Sequence, residues 1–234
     1  MRSVGYEGTN GKGVPTSHDR RFLEWLLNHV ATDYGLDAPL DMYWYAYSSD
    51  TPEERREKVR SFEGRKGDVS RIPWLWMVDC DHDHLSQSLS AAQHARRIHA
   101  RRVASRRSLK VPESEIWRFI VPCNEMESWM AAFATPDSVA ATVRGMGITG
   151  RGRDVRRLKD TVCVADTTLV RKQDLMECFQ RVTRGKTGYG TYGAFLQQLY
   201  SAGRSLEDAA LRNGSLALAI PTFERFLREP LPPF

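Results

Sequence analysis

The sequence predicts an α/β fold in which a mainly parallel four-stranded sheet is flanked by helices and followed by a mostly helical C-terminal region. Two observations predict it. Strand-length apolar or aromatic runs alternate with longer stretches whose apolar residues recur at helical spacing, the pattern of β-α-β units and therefore of parallel strands. The run Trp74-Leu75-Trp76-Met77-Val78 is apolar at every position, without the in-out alternation of a half-exposed strand, as expected of a strand covered on both faces.

The elements follow in order. Arg2-Ser3-Val4-Gly5-Tyr6 reads as the first strand and leads into Glu7-Gly8 and a polar loop. Ser17 is placed to cap a helix whose apolar face is Phe22, Leu23, Leu26, Leu27 and Val30, with Asp19 in the first turn, where the helix dipole favours acids. The aromatic stretch Asp41 to Tyr47 reads as the second strand, and the charged segment Pro52 to Lys66 as a solvated helix capped by Thr51. The Trp74 run is the third strand, His84 to Ala104 the helix after it, and Glu115 to Val121 the fourth strand, ended by Pro122. Asn124 then caps a helix with Glu125 and Glu127 in its first turn.

From Thr135 the texture changes. Gly145, Gly147, Gly150 and Gly152, set among Arg144, Arg151, Arg153, Arg156 and Arg157, read as a basic, flexible connection. Helical patterns return at Leu169 to Val182, Tyr192 to Tyr200, Ser205 to Arg212 and Pro221 to Leu227. The division expected is an α/β domain over residues 1–135 and a helical extension over 136–234 that packs on it.

At 234 residues, with a hydrophobic fraction of 41% and six tryptophans, the chain can bury a substantial core and is not of disordered composition. Its four cysteines, Cys80, Cys123, Cys163 and Cys178, form no C-x-x-C pair, which argues against a zinc knuckle or disulfide framework and for buried free thiols. No apolar segment approaches the roughly 18 residues needed to cross a bilayer, and the N-terminus carries no signal-peptide core, so a cytoplasmic protein without a membrane partner is expected. The formal charge of +5 is unevenly spread: acids gather at strand ends and arginines in clusters, which favours a polyanionic partner beside a metal site.

The acids carry the chemistry. Asp79, Asp81 and Asp83 follow the third strand at alternate positions, and if the chain stays extended, Asp79 and Asp81 face the same side. That side is the crevice beyond the carboxyl ends of parallel strands, where such sheets bind ligands and ions. Two carboxylates held that close repel unless a proton or cation lies between them, and Mg²⁺ or Mn²⁺ suits oxygen ligands. A calcium loop would need Gly and Glu where the chain has His84 and Ser90, and a D-x-D-x-T phosphoaspartyl motif would need Thr at Asp83. A solvated acidic turn stays open as the alternative. Glu7 ends the first strand and Glu125 and Glu127 follow the fourth, so three acidic strand ends would converge on one crevice, although capping alone also accounts for the last pair.

Six arginines, Arg96, Arg97, Arg101, Arg102, Arg106 and Arg107, follow the third strand. At about 100° per residue they spread right round a helix, so they form no single face, and Arg106 and Arg107 are read as lying in a loop. Arg96, Arg97, Arg101, Arg106 and Arg107, with Arg151 and Arg153, are candidate contacts to a nucleic-acid backbone; a solvated helix surface is the alternative. Lys186, between Gly185 and Gly188, is placed on a loop where an ammonium can neutralise a phosphate, or is simply a surface lysine.

Glu7-Gly8 after the first strand, Asp79-Cys80-Asp81 after a later apolar strand, and the alternation of strands and helices together resemble the TOPRIM catalytic domain of topoisomerases, primases and OLD-type nucleases. In that pattern a Glu-Gly closes the first strand and the D-x-D binds Mg²⁺. The stretch Val121-Pro122-Cys123-Asn124-Glu125-Met126-Glu127-Ser128-Trp129 is similar to the P-x-x-E-x-E-x-W segment of small stand-alone TOPRIM-like proteins of bacteria, often encoded beside an ABC-type or SMC-like ATPase in defence-type operons. The resemblance covers roughly residues 2 to 135. It implies a TOPRIM-like (Rossmann-like) sheet and matches Lys186 to the basic residue that OLD-type nucleases place near the metal. The extra aromatic strand and charged segment before the D-x-D depart from it.

The expected function is a Mg²⁺- or Mn²⁺-dependent nuclease of a bacterial defence-type system. Asp79 and Asp81 would hold the metal with Asp83 beside them, Glu7 would act as general base or second-metal ligand, Glu125 or Glu127 would complete the shell, and Lys186 would stabilise charge. Two other readings stand beside it. One is a non-catalytic TOPRIM-like partner subunit of an ABC/SMC-type ATPase, with Trp129 and the aromatic strand at an interface. The other is metal-dependent phosphotransfer or hydrolysis on a small phosphorylated molecule, which would need a closed pocket.

Overall fold

A computed structural model describes residues 2–6, 18–36, 42–47, 51, 53–54, 57, 73–78, 87–109, 117–148, 152–185 and 189–231. Strands β1 (Arg2–Tyr6), β2 (Met42–Ala46), β3 (Trp74–Met77) and β4 (Trp117–Ile120) pair in the order β2-β1-β3-β4, every pair parallel. Tyr6 lies beside Ala46 and Met77 beside Ile120. The ladder runs one residue further, with the Tyr47 N–H donating to the Tyr6 carbonyl and the Val78 N–H to that of Ile120, both at 3.1 Å. The strands therefore end level, and their carboxyl edge is a shared rim.

Helix α1 (His18–Asp33) crosses from β1 to β2 and α2 (Ala91–Leu109) from β3 to β4; α3 (Met126–Phe133) follows β4. Beyond these come α4 (Pro136–Gly145), α5 (Gly152–Val162), a 3-10 turn (Thr167–Leu169), α6 (Lys172–Thr183), α7 (Tyr189–Ser201), α8 (Leu206–Arg212) and α9 (Gly214–Arg228).

The period of two sorts each strand onto two faces. Val4, Tyr6, Ala46, Leu75, Met77 and Ile120 share one core with the predicted α1 face of Phe22, Leu23, Leu26, Leu27 and Val30, which is wholly buried. Trp74 and Trp76 take the other face, stacked with ring centroids 5.0 Å apart, and Tyr43 and Tyr45 meet them edge-on. This explains a glycine inside a strand: a Cβ on Gly5 would sit 2.4 Å from the Trp76 ring. Helix α2 lies on the tryptophan side, where Ile98 packs with Val121 and Cys123 and the Arg106 guanidinium sits 5.3 Å over the Phe119 ring.

The hydrophobic core continues past residue 135: α7 packs against α1 and α3, and α9 against α1, α2, β3 and β4. Arg2 donates to the carbonyls of Phe226 (3.0 Å) and Glu229 (2.9 Å), a cation at the carboxyl end of α9 where the helix dipole favours it. Arg118 adds an ion pair to Glu229 at 3.2 Å.

Several local expectations are corrected. Arg106 and Arg107 are helical, because α2 runs on to Leu109; it starts at Ala91, where Ser90 and Gln93 exchange the reciprocal bonds of a capping box. The supposed flexible connection is largely two helices. Thr135 and Ser138 form a capping box with Pro136 at the first turn of α4, and α5 buries Leu158 and Val162 while Arg153, Arg156 and Arg157 point outward. Helix α9 begins at Gly214, capped by the Asn213 side chain on the Leu216 N–H, with Pro221 inside it. Proline there forgoes one helical bond, offset by burial of Leu216, Ala219, Phe223, Phe226 and Leu227. Cys123 and Cys178 are buried free thiols as expected, Cys163 is half-buried, and Cys80 lies outside the described residues. Among the described residues, no helix is long and apolar enough to cross a membrane.

Candidate metal centre

Two helices deliver side chains to the carboxyl rim of the sheet. Helix α1 must start there because it returns from the end of β1, and His18 is its first residue. Helix α3 starts there because β4 ends five residues before Glu125. The turn between them is tight: Asn124 adopts the left-handed conformation (φ 63°), and its side-chain amide donates to the Thr168 carbonyl at 2.6 Å. Ser128 Oγ donates to the Cys123 carbonyl at 2.9 Å, closing the turn from the helix side.

Asn124 is therefore not the helix cap that the sequence suggests. Glu125 occupies the N-cap position without capping α3, and its carboxylate instead accepts the backbone N–H of Lys172 at the start of α6. Glu127 points the other way. Its Oε1 lies 3.2 Å from His18 Nε2, which is 3.4 Å from Asp19 Oδ1, and one ligand atom from each of the three residues falls within 4.8 Å of the others. Glu127 is 2% exposed, His18 8% and Asp19 18%, so the group is set into the rim rather than on a loose surface.

Burial pulls the His18 imidazole down, but the hydrogen bond to Glu127 and the charges of Asp19 and Glu127 outweigh it and raise the group above its ordinary value, against an opposing push from Lys172. The Tyr192 ring packs edge-on against His18, with centroids 5.9 Å apart. Helix α7, which carries Tyr192, begins three residues after Lys186 in sequence.

One imidazole nitrogen and two carboxylates within one ion's reach can hold a divalent cation. Of the residues expected from sequence, Glu127 belongs to this group and Glu125 is beside it but turned to α6. Glu7, Asp79, Asp81, Asp83, Lys186 and Arg151 lie outside the described residues. His18 and Asp19 are not among the ligands the sequence suggests; there Asp19 is explained as a first-turn acid alone. The available signal was topological: the first turn after the loop leaving β1 has to lie on the rim.

The arginines named as candidate backbone contacts lie at two places among the described residues. Arg96, Arg106 and Arg107 are exposed and Arg97 and Arg101 half-buried, all on one helix, while Arg153 is 75% exposed and 3.9 Å from Asp154. Trp129 is a core residue and not a surface one: it is fully buried, and its indole N–H donates to Ser215 Oγ at 2.7 Å. Compared with known proteins, the chain matches no family model, no curated protein and no solved structure.

Proposed function

We propose that the chain is a metal-dependent nuclease of TOPRIM type, hydrolysing a phosphodiester at the carboxyl rim of its sheet. The observation that carries the reading is the meeting of His18, Asp19 and Glu127 on that rim, because the sequence also sends Glu7 out of β1 and Asp79 and Asp81 out of the end of β3. Register supports this: Gly5 of β1 pairs with Trp76 of β3, so the two strands end side by side on the rim.

The donor set fits a divalent ion, and its imidazole favours Mn²⁺ over Mg²⁺, which prefers oxygen alone. When bound, such an ion supplies an activated water and charge neutralisation on the phosphoryl oxygens. The chain's own residues then have distinct tasks. Glu127 and Asp19 provide negative charge, His18 is oriented by both, and Glu125 fixes the start of α6, which keeps Lys172 close enough to act electrostatically on His18. The bacterial defence setting rests on the sequence resemblance alone.

Calorimetric titration with Mn²⁺ and Mg²⁺, followed by cleavage assays on labelled DNA and RNA, tests the proposal. Saturable Mn²⁺ binding and metal-dependent cleavage are expected. A folded protein that binds neither ion at millimolar concentration would overturn it and favour the non-catalytic partner subunit.

A further inference from the structure

We propose that the outer face of α2 docks a B-form DNA duplex, the helix lying along the wide groove with its arginines on the flanking phosphates; this rests on the nuclease reading and names its substrate class. The helix spans 19 residues with six arginines and no acid. Its buried stripe is narrow, formed by His94, Ile98 and Ser105. At about 100° per residue, the opposite side carries Arg96, His99, Ala100, Val103 and Arg107, all exposed. Arg97 and Arg106 flank that face about 180° apart on the same helical wheel.

This charge is not cancelled. Arg96, Arg106 and Arg107 enter no ion pair among the described residues, although the Arg106 guanidinium rests over the Phe119 ring; Arg97 is turned inward, with Nε and Nη2 buried. Three C-terminal arginines differ: Arg157 and Arg181 pair with Glu177, and Arg171 with Asp174. A guanidinium already held by a carboxylate gains less from a phosphate than one that is not.

The face suits nucleic acid better than an acidic protein. Its apolar exposure is one valine, 37% exposed, among alanines, too little for the buried centre of a protein interface. Alanines let a backbone approach closely, and Arg96 and Arg107, exposed near the two ends of the face, match phosphates along a groove, with Arg106 at its edge. A helix about 10–12 Å across fits the roughly 12 Å major groove of B-DNA, whereas that of A-form RNA is too narrow. The amino end of α2 also meets the carboxyl rim, with His94 Nδ1 3.7 Å from Cys123 Sγ, so a duplex following the helix is led toward Glu127.

The test is fluorescence anisotropy with a labelled duplex longer than the helix, in EDTA, across a salt series. Replacing Arg96, Arg106 and Arg107 together by alanine should make the slope of log K against log salt shallower by about 2 to 3, with the largest loss of affinity at the lowest salt concentration. Replacing the same three by lysine should keep the slope, and Arg157→Ala should leave it unchanged. An unaltered slope in the alanine variant, an equal change in Arg157→Ala, or binding of single strands, RNA duplex or polyglutamate as tight as DNA duplex would each overturn the proposal. EDTA separates this from the nuclease reading: DNA cleavage with an unaltered slope sinks only the docking face, whereas the expected slope change without any metal-dependent cleavage sinks only the nuclease.

Discussion

His18 Nε2 lies 3.2 Å from Glu127 Oε1, so the first turn of α1 and the first turn of α3 meet across 109 residues of chain. If this pair is part of a metal centre, Glu127→Gln keeps the shape and an acceptor oxygen but loses the charge. Mn²⁺ affinity should fall at least about tenfold, the scale on which even the supporting partners of metal ligands act. Calorimetry gives the affinity and circular dichroism checks the fold. Unchanged affinity in a folded Gln variant would remove Glu127 from the ligand set.

Asn124 presents that side chain. Its left-handed backbone and its 2.6 Å bond to the Thr168 carbonyl are separable contributions. Asn124→Gly keeps the backbone preference and loses the bond; Asn124→Ala loses both. The alanine variant should be the less stable of the two by about 1 kcal/mol, measured by urea unfolding. Equal stabilities would mean that the conformation at 124 carries no cost.

Arg212 closes two helices at once. Its guanidinium donates to the carbonyls of Ala132 (2.7 Å) and Ala134 (2.9 Å) at the end of α3, and to those of Val162 (2.8 Å), the last residue of α5, and Val164 (2.7 Å) beyond it. Arg212→Ala strips partners from several enclosed carbonyls and should cost about 3–5 kcal/mol of stability. Arg212→Lys keeps the charge without the planar fork and should fall between. A loss under about 1 kcal/mol for the alanine variant would contradict the capping role.

His94 makes stability fall on the acid side. Burial holds its imidazole below the ordinary value, with Asp166 opposing that shift and Arg97 reinforcing it. The unfolded chain therefore takes up a proton nearer pH 6.5 while the native protein resists it, so this contribution is complete above about pH 6.5 and is lost as pH falls toward the lowered native value. Urea midpoints should drop across that window in the parent and drop less in His94→Gln. Parallel curves for the two proteins would exclude His94 as the source.

Local patterns made the sheet readable. The strands and the Phe22-Leu23-Leu26-Leu27-Val30 face are set by sequence neighbours, and the structure places them where the spacing does. Glu127 was legible because a strand end fixes where the next residues go. Asp19 was hidden by a sufficient local explanation, since first-turn acids stabilise any helix, and His18 had no partner nearby in sequence to mark it. Arginine and glycine density masked α4 and α5, although Thr135 with Ser138, bracketing Pro136, was the available sign of a helix start. The carbonyls served by Arg212 could not be read at all, because they come from segments 48 to 80 residues away.

The bond from Arg2 to the Phe226 carbonyl joins positions 224 residues apart. During synthesis, β1 leaves the ribosome long before the helix that locks it, and the α1 surface that α9 covers stays open until α9 itself has been released. The native packing of α1 therefore waits for α9, and a nascent chain stalled before α9 would expose an apolar face to chaperones.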